Sequence, residues 1–361
     1  MRKGFVLSCI LFVFITGCNP LELEVNRKSQ QEAIVEVSKV TTNQPVVIAQ
    51  NLNIPWSIDR VNDTFYISER MGTITKIQGG QIVRQQVELK KKLSEAAEAG
   101  LMGFVLSPDF NESKRAYAYY TYDENSGRFN RIVSLILEND LWKEETLLLD
   151  KIPSGNFHHG GRIKIGPDQK LYATAGDALN SPLAQDLGTL AGKILRLNLD
   201  GTIPSDNPFQ KSYIYSYGHR NPQGLTWSSD GTMYASEHGN SANDEINKIE
   251  PGKNYGWPVI EGMQRREGMV TPIFTSGSNN TWAPSGMAYY NGYLYVAALK
   301  GEAIFEFNLE TGEQRKLVSG LGRIRDVFIE GDTLYFVTNN TDGRGNPQLN
   351  DDKFYSISLI D

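Results

Sequence analysis

Cysteine is almost missing from this 361-residue chain: Cys9 and Cys18 are the only two, both within the first eighteen positions. With none beyond Cys18, no intrachain disulfide supports the body of the fold, and stability must come from a large core or a bound metal. Histidine is scarce too, with four residues (His158, His159, His219 and His238), and no His/Cys arrangement has the spacing of structural zinc. Basic runs are lacking. The net charge is −6 and the one cluster, Lys90-Lys91-Lys92, reads as a solvated loop face, so nucleic acid is excluded as a partner. No apolar run reaches the roughly twenty residues that a membrane span requires.

The longest apolar stretch, Gly4 to Ile15, follows Met1-Arg2-Lys3 and precedes Thr16-Gly17-Cys18. A basic start, a short apolar segment and small residues are the marks of a secretory signal over 1–17. Cys18 directly after Gly17 resembles the bacterial lipobox, whose cysteine becomes the lipidated first residue. An uncleaved anchor helix is the competing reading, and both place the remainder outside the cytoplasm, held to the membrane by its N-terminus. Residues 18–43 are polar with few aromatics and read as a flexible tether. Residues 44–361 are long enough for one large all-β domain.

What the chain has in abundance is a repeat. An apolar run, a turn and an alternating run recur at 56–70, 101–122, 161–177, 224–238, 286–300 and 325–339. The matched tyrosines Tyr66, Tyr119, Tyr172, Tyr234, Tyr295 and Tyr335 fall roughly every 54 residues, a period that belongs to propeller blades. Alternation rich in Val, Ile, Tyr and Phe favours strands, and Pro167-Asp168, Asp230-Gly231 and Glu330-Gly331-Asp332 supply hairpin turns. Helical periodicity shows only weakly, at 93–99 and 183–190. The expected fold is an all-β, six-bladed β-propeller with four-stranded antiparallel blades; a diverged blade would make seven. The final strand, Phe354 to Ile357, needs a sheet to join, so the two chain ends are expected to share one. Such a fold gathers the loops of every repeat around one pocket.

All four histidines lie within a few residues of a repeat. His158 and His159 precede a glycine pair, and Asp177 follows nineteen residues later, at the far end of a hairpin. A carboxylate on one ring nitrogen fixes the tautomer and raises basicity at the other, as a general base requires; a structural polar pair is the alternative. Arg220, in Gly218 to Gly224, can fork onto a ligand carboxylate or onto an acidic neighbour. Glu237 to Asn240, Asp244-Glu245 and Asn254 to Pro258 combine carboxylates with loop carbonyls, the oxygen ligands that Ca²⁺ takes, though without EF-hand spacing. Lys300, Arg323 and Arg325 end two further repeats. With Arg220 they would set four cations on one face of an acidic protein, suiting a ligand with several carboxylates.

The strings Gly100 to Gly103 with Ser107 to Phe110, His158 to Arg162 with Gly176-Asp177, Leu190 to Arg196, Gly218 to Gly224, Asp244 to Asn247 with Asn254 to Pro258, and Gly322 to Val327 resemble the soluble, pyrroloquinoline-quinone-dependent glucose/sorbosone dehydrogenase family. The likeness runs from about Asn51 to Asn346. It implies a six-bladed propeller that oxidises an aldose at C1 to a lactone, with His158 as base, Asp177 supporting it, and the hydride passing to the quinone. It places Arg220, Asn221, Lys300, Arg323, Arg325 and Glu98 around the cofactor, Arg220 also against the developing oxyanion. Gly239 and Asn240 match carbonyl ligands of a Ca²⁺ beside the cofactor that polarises the quinone carbonyl; Glu245 and Tyr255 resemble a second, structural Ca²⁺ site. Phe157 stands where the glucose dehydrogenase has Asp, Glu98 where it has Gln, and Asn240 where it has Pro, so the shorter, broader aldose dehydrogenases fit better. A Ca²⁺-dependent propeller lactonase and a non-catalytic, surface-anchored sugar-binding propeller are the competing classes. The chain names no electron acceptor.

Overall fold

The computed structural model describes residues 44–360, which are almost wholly strands and turns; the signal, Cys18 and the tether lie outside the described residues. Four sheets have four strands each, and a fifth has eight. The eight-stranded sheet is two antiparallel meanders, 55–88 and 101–153, joined edge to edge where Val87 and Glu88 run parallel to Trp142 and Lys143. The chain ends meet as expected. Val46–Ala49 pairs with Phe354–Ser358 on the outside of the last sheet, in the register Val46↔Ser356 and Val47↔Tyr355.

Each meander starts with an inner strand: Pro55–Val61, Leu101–Leu106, Ile163–Ile165, Pro222–Trp227, Pro284–Tyr290 and Ile324–Glu330. Every inner strand touches the next, and the last returns to the first, closing a ring. The repeat tyrosines all fall on the second strand of their meander. This is why the period is visible: one residue per meander plugs the same layer between neighbours. Tyr66, Tyr119, Tyr172, Tyr234 and Tyr295 are buried there among aliphatic and aromatic partners, and burial at this scale is the main driving term for a disulfide-free domain.

The helical expectations fail. Residues 93–99 form no helix, because Leu93 bridges Tyr122 and the Ser94 amide donates to Thr121 O, so the segment is held against a strand. Seven residues are also too few to nucleate a helix unaided. The other site shortens to a 3-10 turn at Ser181–Gln185, and the one α-helical turn among the described residues is Phe110–Ser113.

Charge, not apolar packing, fills the middle of the ring. Arg162, 1% exposed, donates to Gln223 O at 2.8 Å and Ser57 Oγ at 3.0 Å, and pairs with Asp326 Oδ2 at 3.0 Å. Asp326 Oδ2 also accepts the Ile58 amide at 2.8 Å, while the Arg162 guanidinium lies 4.2 Å from the Trp56 ring. Four inner strands are thereby tied at one point. Gly286 makes room for it, since a Cβ there would sit 1.7 Å from Asp326 Oδ1. Asp326→Ala strands a buried cation, and such a loss costs on the order of 3–5 kcal/mol. Urea unfolding of this variant should show that drop; a change below about 1 kcal/mol would mean the knot is dispensable.

Candidate active site

His158 and Asp177 are brought together by glycine. Gly176 passes so close beneath His158 that a Cβ would lie 1.9 Å from the His158 carbonyl oxygen, and at Gly160 a Cβ would lie 2.4 Å from Thr174 O. The two ends of the hairpin therefore pack backbone to backbone, with His158 itself at φ +63°. His158 Nδ1 lies 2.7 Å from Asp177 Oδ1. That carboxylate is buried and also accepts the Leu179 amide at 2.9 Å and Trp257 Nε1 at 2.8 Å. An acceptor-only carboxylate fixes the proton on Nδ1, which leaves Nε2 as the basic nitrogen of a ring that lines an open cleft of about 250 Å³.

That cleft and an inner cavity of about 170 Å³ share Glu98, His238, Lys300 and Arg344 in their walls, so they form one depression at the end of the ring. His158, Arg220, Asn221, Gly239 and Asn240 line the outer part, and Arg323 and Arg325 the inner. The predicted constellation thus converges. Arg220 has no acidic partner within ion-pair distance. Its terminal nitrogens reach only His238 O and Asn240 O, each at 3.4 Å, and its buried Nε has no acceptor. It rests 5.4 Å over Trp257, and burial lowers its hold on the proton. Arg325 donates to Asn339 Oδ1 and Gln223 Oε1 and is pushed down by burial first, with Arg323 and Arg70 adding repulsion. Arg323 is clamped by Asp342 through two nitrogens, Glu98 is paired with Arg344, and Lys300 stands exposed with no anionic partner among the described residues. Asn221 spends its Oδ1 on the Gly160 amide at 3.0 Å, so its observed work is to hold the histidine loop.

The remaining histidines divide by environment. His219 sits between Ser216 Oγ and Glu237 Oε2, stacked 4.8 Å from Tyr255, and is structural. His159 bonds Ser154 Oγ at 2.6 Å and leaves a buried Nε2 without a partner. Burial pushes it down to about 4, against the pull of Glu98 and with help from Arg128, His158 and Arg70. A base whose folded value lies below its unfolded one, about 6.5, adds stability that is present above pH 6.5 and lost as pH falls toward 4. The loss over that window is expected to approach roughly 3 kcal/mol. In His159→Gln, melting temperatures between pH 6.5 and 4 should fall less steeply; parallel curves would remove His159 as the cause.

Two oxygen-rich places stand where calcium is expected. Asp244, buried, takes the Gly239 amide and the amides of Trp282 and Ala283, which fixes the 239–244 loop. The Gly239 carbonyl oxygen accepts no hydrogen bond among the described residues, and a Cβ at Gly239 would collide with Ala242 O at 1.9 Å. Glu245 stands directly across the strand pair from Glu237. Burial, then the Glu237 charge, push Glu245 up to about 8. The Tyr255 hydroxyl is occupied by Lys248 O and the Glu250 amide, and its own amide donates to Tyr217 O, so only its main-chain carbonyl is left for a ligand among the described residues. Among the described residues no three His, Cys, Asp or Glu side chains cluster as a metal site, so a cation here depends on backbone carbonyls, as Ca²⁺ permits.

Arg70, Asp342 and Arg344 escaped the sequence reading, and it names His238 and Trp257 without giving either a role of its own in the site. One signal could have found two of them. Asp177, His238, Lys300 and Asn339 each come within two residues of the end of a second strand, and Arg70 occupies that place in the first meander.

The chain matches the family described as Glucose / Sorbosone dehydrogenase over residues 52–349. Its fold superposes on the PQQ-bound aldose sugar dehydrogenase of Streptomyces coelicolor with a TM-score of 0.81 and 36% identity, covering 87% of this chain and 96% of that one. An aldose sugar dehydrogenase of Escherichia coli is 32% identical over 337 residues, 82% of this chain and 90% of its own length. Quinoprotein glucose dehydrogenase B of Acinetobacter calcoaceticus is 33% identical over 272 residues, 65% of this chain, and the match spans only 56% of that enzyme. The basic pocket, the carboxylate-backed histidine and the match over most of the ring make this chain a member of the glucose/sorbosone dehydrogenase family.

Proposed function

We propose that this protein is a quinoprotein oxidoreductase that oxidises aldose sugars at C1 to lactones, with pyrroloquinoline quinone as cofactor. The carrying observation is the cation set of the joined cavities: Arg220, Lys300, Arg323 and Arg325 face one depression, and Arg220 and Lys300 have no acidic partner. A half-buried cation without an anion, as at Arg220, is costly, and a small tricarboxylate supplies the negative charge that this cluster lacks. A neutral lactone does not, which together with the dehydrogenase relatives disfavours a hydrolase. Two features, the fixed 239–244 loop and the Glu237/Glu245 pair, suit Ca²⁺. The ring is read as six blades, the eight-stranded sheet counting as two. The sequence supports a lipid anchor at Cys18 outside the cytoplasm, with residues 44–361 as the catalytic domain.

The quinone, when bound, supplies the two-electron acceptor for the sugar hydride; Ca²⁺ held by the Gly239 and Asn240 carbonyls supplies a Lewis acid beside it. The protein's own part is proton transfer and placement. His158 Nε2 takes the proton of the sugar hydroxyl, and Asp177 holds the ring and stabilises the imidazolium that forms. Arg220 opposes negative charge growing on the substrate oxygen. Arg344, over the Phe157 ring at 5.1 Å and paired to Glu98, walls the side of the cleft.

The test is dye reduction by the purified soluble domain with Ca²⁺, pyrroloquinoline quinone and a panel of aldoses. Quinone-dependent reduction is the expected result. Lactone opening without quinone would install the hydrolase instead, and silence in both assays would leave a binding protein.

A further inference from the structure

Arg70 ends the first repeat and has no role in the account so far. Its backbone is fixed on both sides: the amide donates to Ile54 O and the carbonyl accepts the Leu101 amide, each at 3.0 Å. Its stem lies against Gly100, where a Cβ would come within 2.6 Å of Arg70 Cγ and 2.2 Å of Arg70 O. Gly100 adopts φ +135°, a conformation that side chains resist, so this glycine preserves the slot through which the arginine reaches the cavity. The half-buried head lines the inner cavity with Arg323, Arg325 and Lys300, and no group among the described residues accepts a hydrogen bond from it. Arg323 has Asp342 and Arg344 has Glu98; Arg70 has neither. Burial weakens its hold on the proton, the charges of Asp342 and Glu98 act against that without hydrogen-bonding it, and Arg344 and Arg325 lie close enough to repel it. A guanidinium held by a dedicated slot among like charges, without a carboxylate of its own, is arranged for an anion from outside.

We propose that Arg70 is an additional basic ligand of the anionic quinone, gripping a carboxylate from the first meander, next to the meander that carries Arg323 and Arg325. This rests on the quinone reading of the pocket.

The experiment uses Arg70→Met, which keeps the apolar stem, and Arg70→Lys, which keeps the charge but not the fork. Quinone is titrated into each metal-loaded domain and followed by quenching of tryptophan fluorescence, Trp56 being in the cavity wall; melting temperatures are taken with and without quinone. Arg70→Met is expected to bind quinone roughly tenfold or more weakly, to melt no lower than wild type without quinone, and to gain less from it. Arg70→Lys should fall between. Equal affinity in Arg70→Met and wild type overturns the assignment. So does a variant that fails to fold or melts well below wild type without quinone, because Arg70 would then be a structural residue. Wild-type protein that binds no quinone overturns the reading of the pocket itself, and this inference with it.

Discussion

His158→Ala is expected to abolish quinone-dependent sugar oxidation, by a factor on the order of 10²–10⁴, while quinone titrates almost as before. The separation follows from where charge sits. The cations proposed to hold the cofactor are Arg220, Lys300, Arg323 and Arg325, none of which hydrogen-bonds the imidazole, whose one observed partner is Asp177. Folding should survive, since the ring is partly exposed and the tight backbone approach depends on Gly176 instead. Asp177→Asn sharpens the test. An amide can still accept from Trp257 Nε1, yet it no longer compels the proton onto Nδ1 or stabilises the imidazolium. Its rate should fall by about the same order as the loss in His158→Ala, with little change in sugar KM. Steady-state dye reduction with saturating quinone measures both. Near-normal turnover in His158→Ala would remove the base assignment.

The joined cavities were legible in the sequence because a ring of repeats converts offset within a repeat into position in space. Asp177 and Lys300 end equivalent runs, so both could be placed at one mouth before any coordinates; the structure puts Lys300 into the cleft wall and Asp177 directly behind His158, which lines it. The same offset marks Arg70 and His238. Arg70 escapes because its repeat holds no histidine to draw attention, while His238 reads only as one of four histidines beside a repeat. Arg344 and Asp342 had no such coordinate. They sit in the long 339–353 connection, whose path is set by Asn340 and Asp352 through hydrogen bonds to Arg323, Thr338 and Thr341. Trp257 was read as part of a calcium segment, and its contact with Asp177 spans eighty residues and five strands, beyond any local pattern. The false helix at 93–99 failed for a related reason: a bridge to Tyr122 outweighs weak local periodicity.

Calcium should stabilise this domain strongly, and Glu245 should decide how strongly. Glu237 and Glu245 oppose each other across neighbouring strands, and like charges so placed repel. Glu237 is already engaged by His219 Nδ1 and the Arg220 amide, so it cannot turn away. Glu245 accepts only the Gly262 amide at 2.8 Å and Asn247 Nδ2 at 3.0 Å, both neutral donors. A bound divalent cation converts that repulsion into attraction, and at a hundredfold excess over its dissociation constant it adds about 2.7 kcal/mol. Wild-type protein should therefore melt several degrees higher in millimolar Ca²⁺ than in chelator. Glu245→Gln keeps the shape and removes the carboxyl group that ionises to take the cation: without Ca²⁺ it should melt at or above the wild-type temperature, and its response to Ca²⁺ should shrink sharply. The pair also touches the catalytic side, because Glu237 holds the Arg220 amide while Arg220 presents its side chain to the cleft. Chelation should thus loosen Arg220 and weaken quinone binding along with stability. A Glu245→Gln protein that still gains the full wild-type rise in Ca²⁺ would place the stabilising ion elsewhere, at the 239–244 loop.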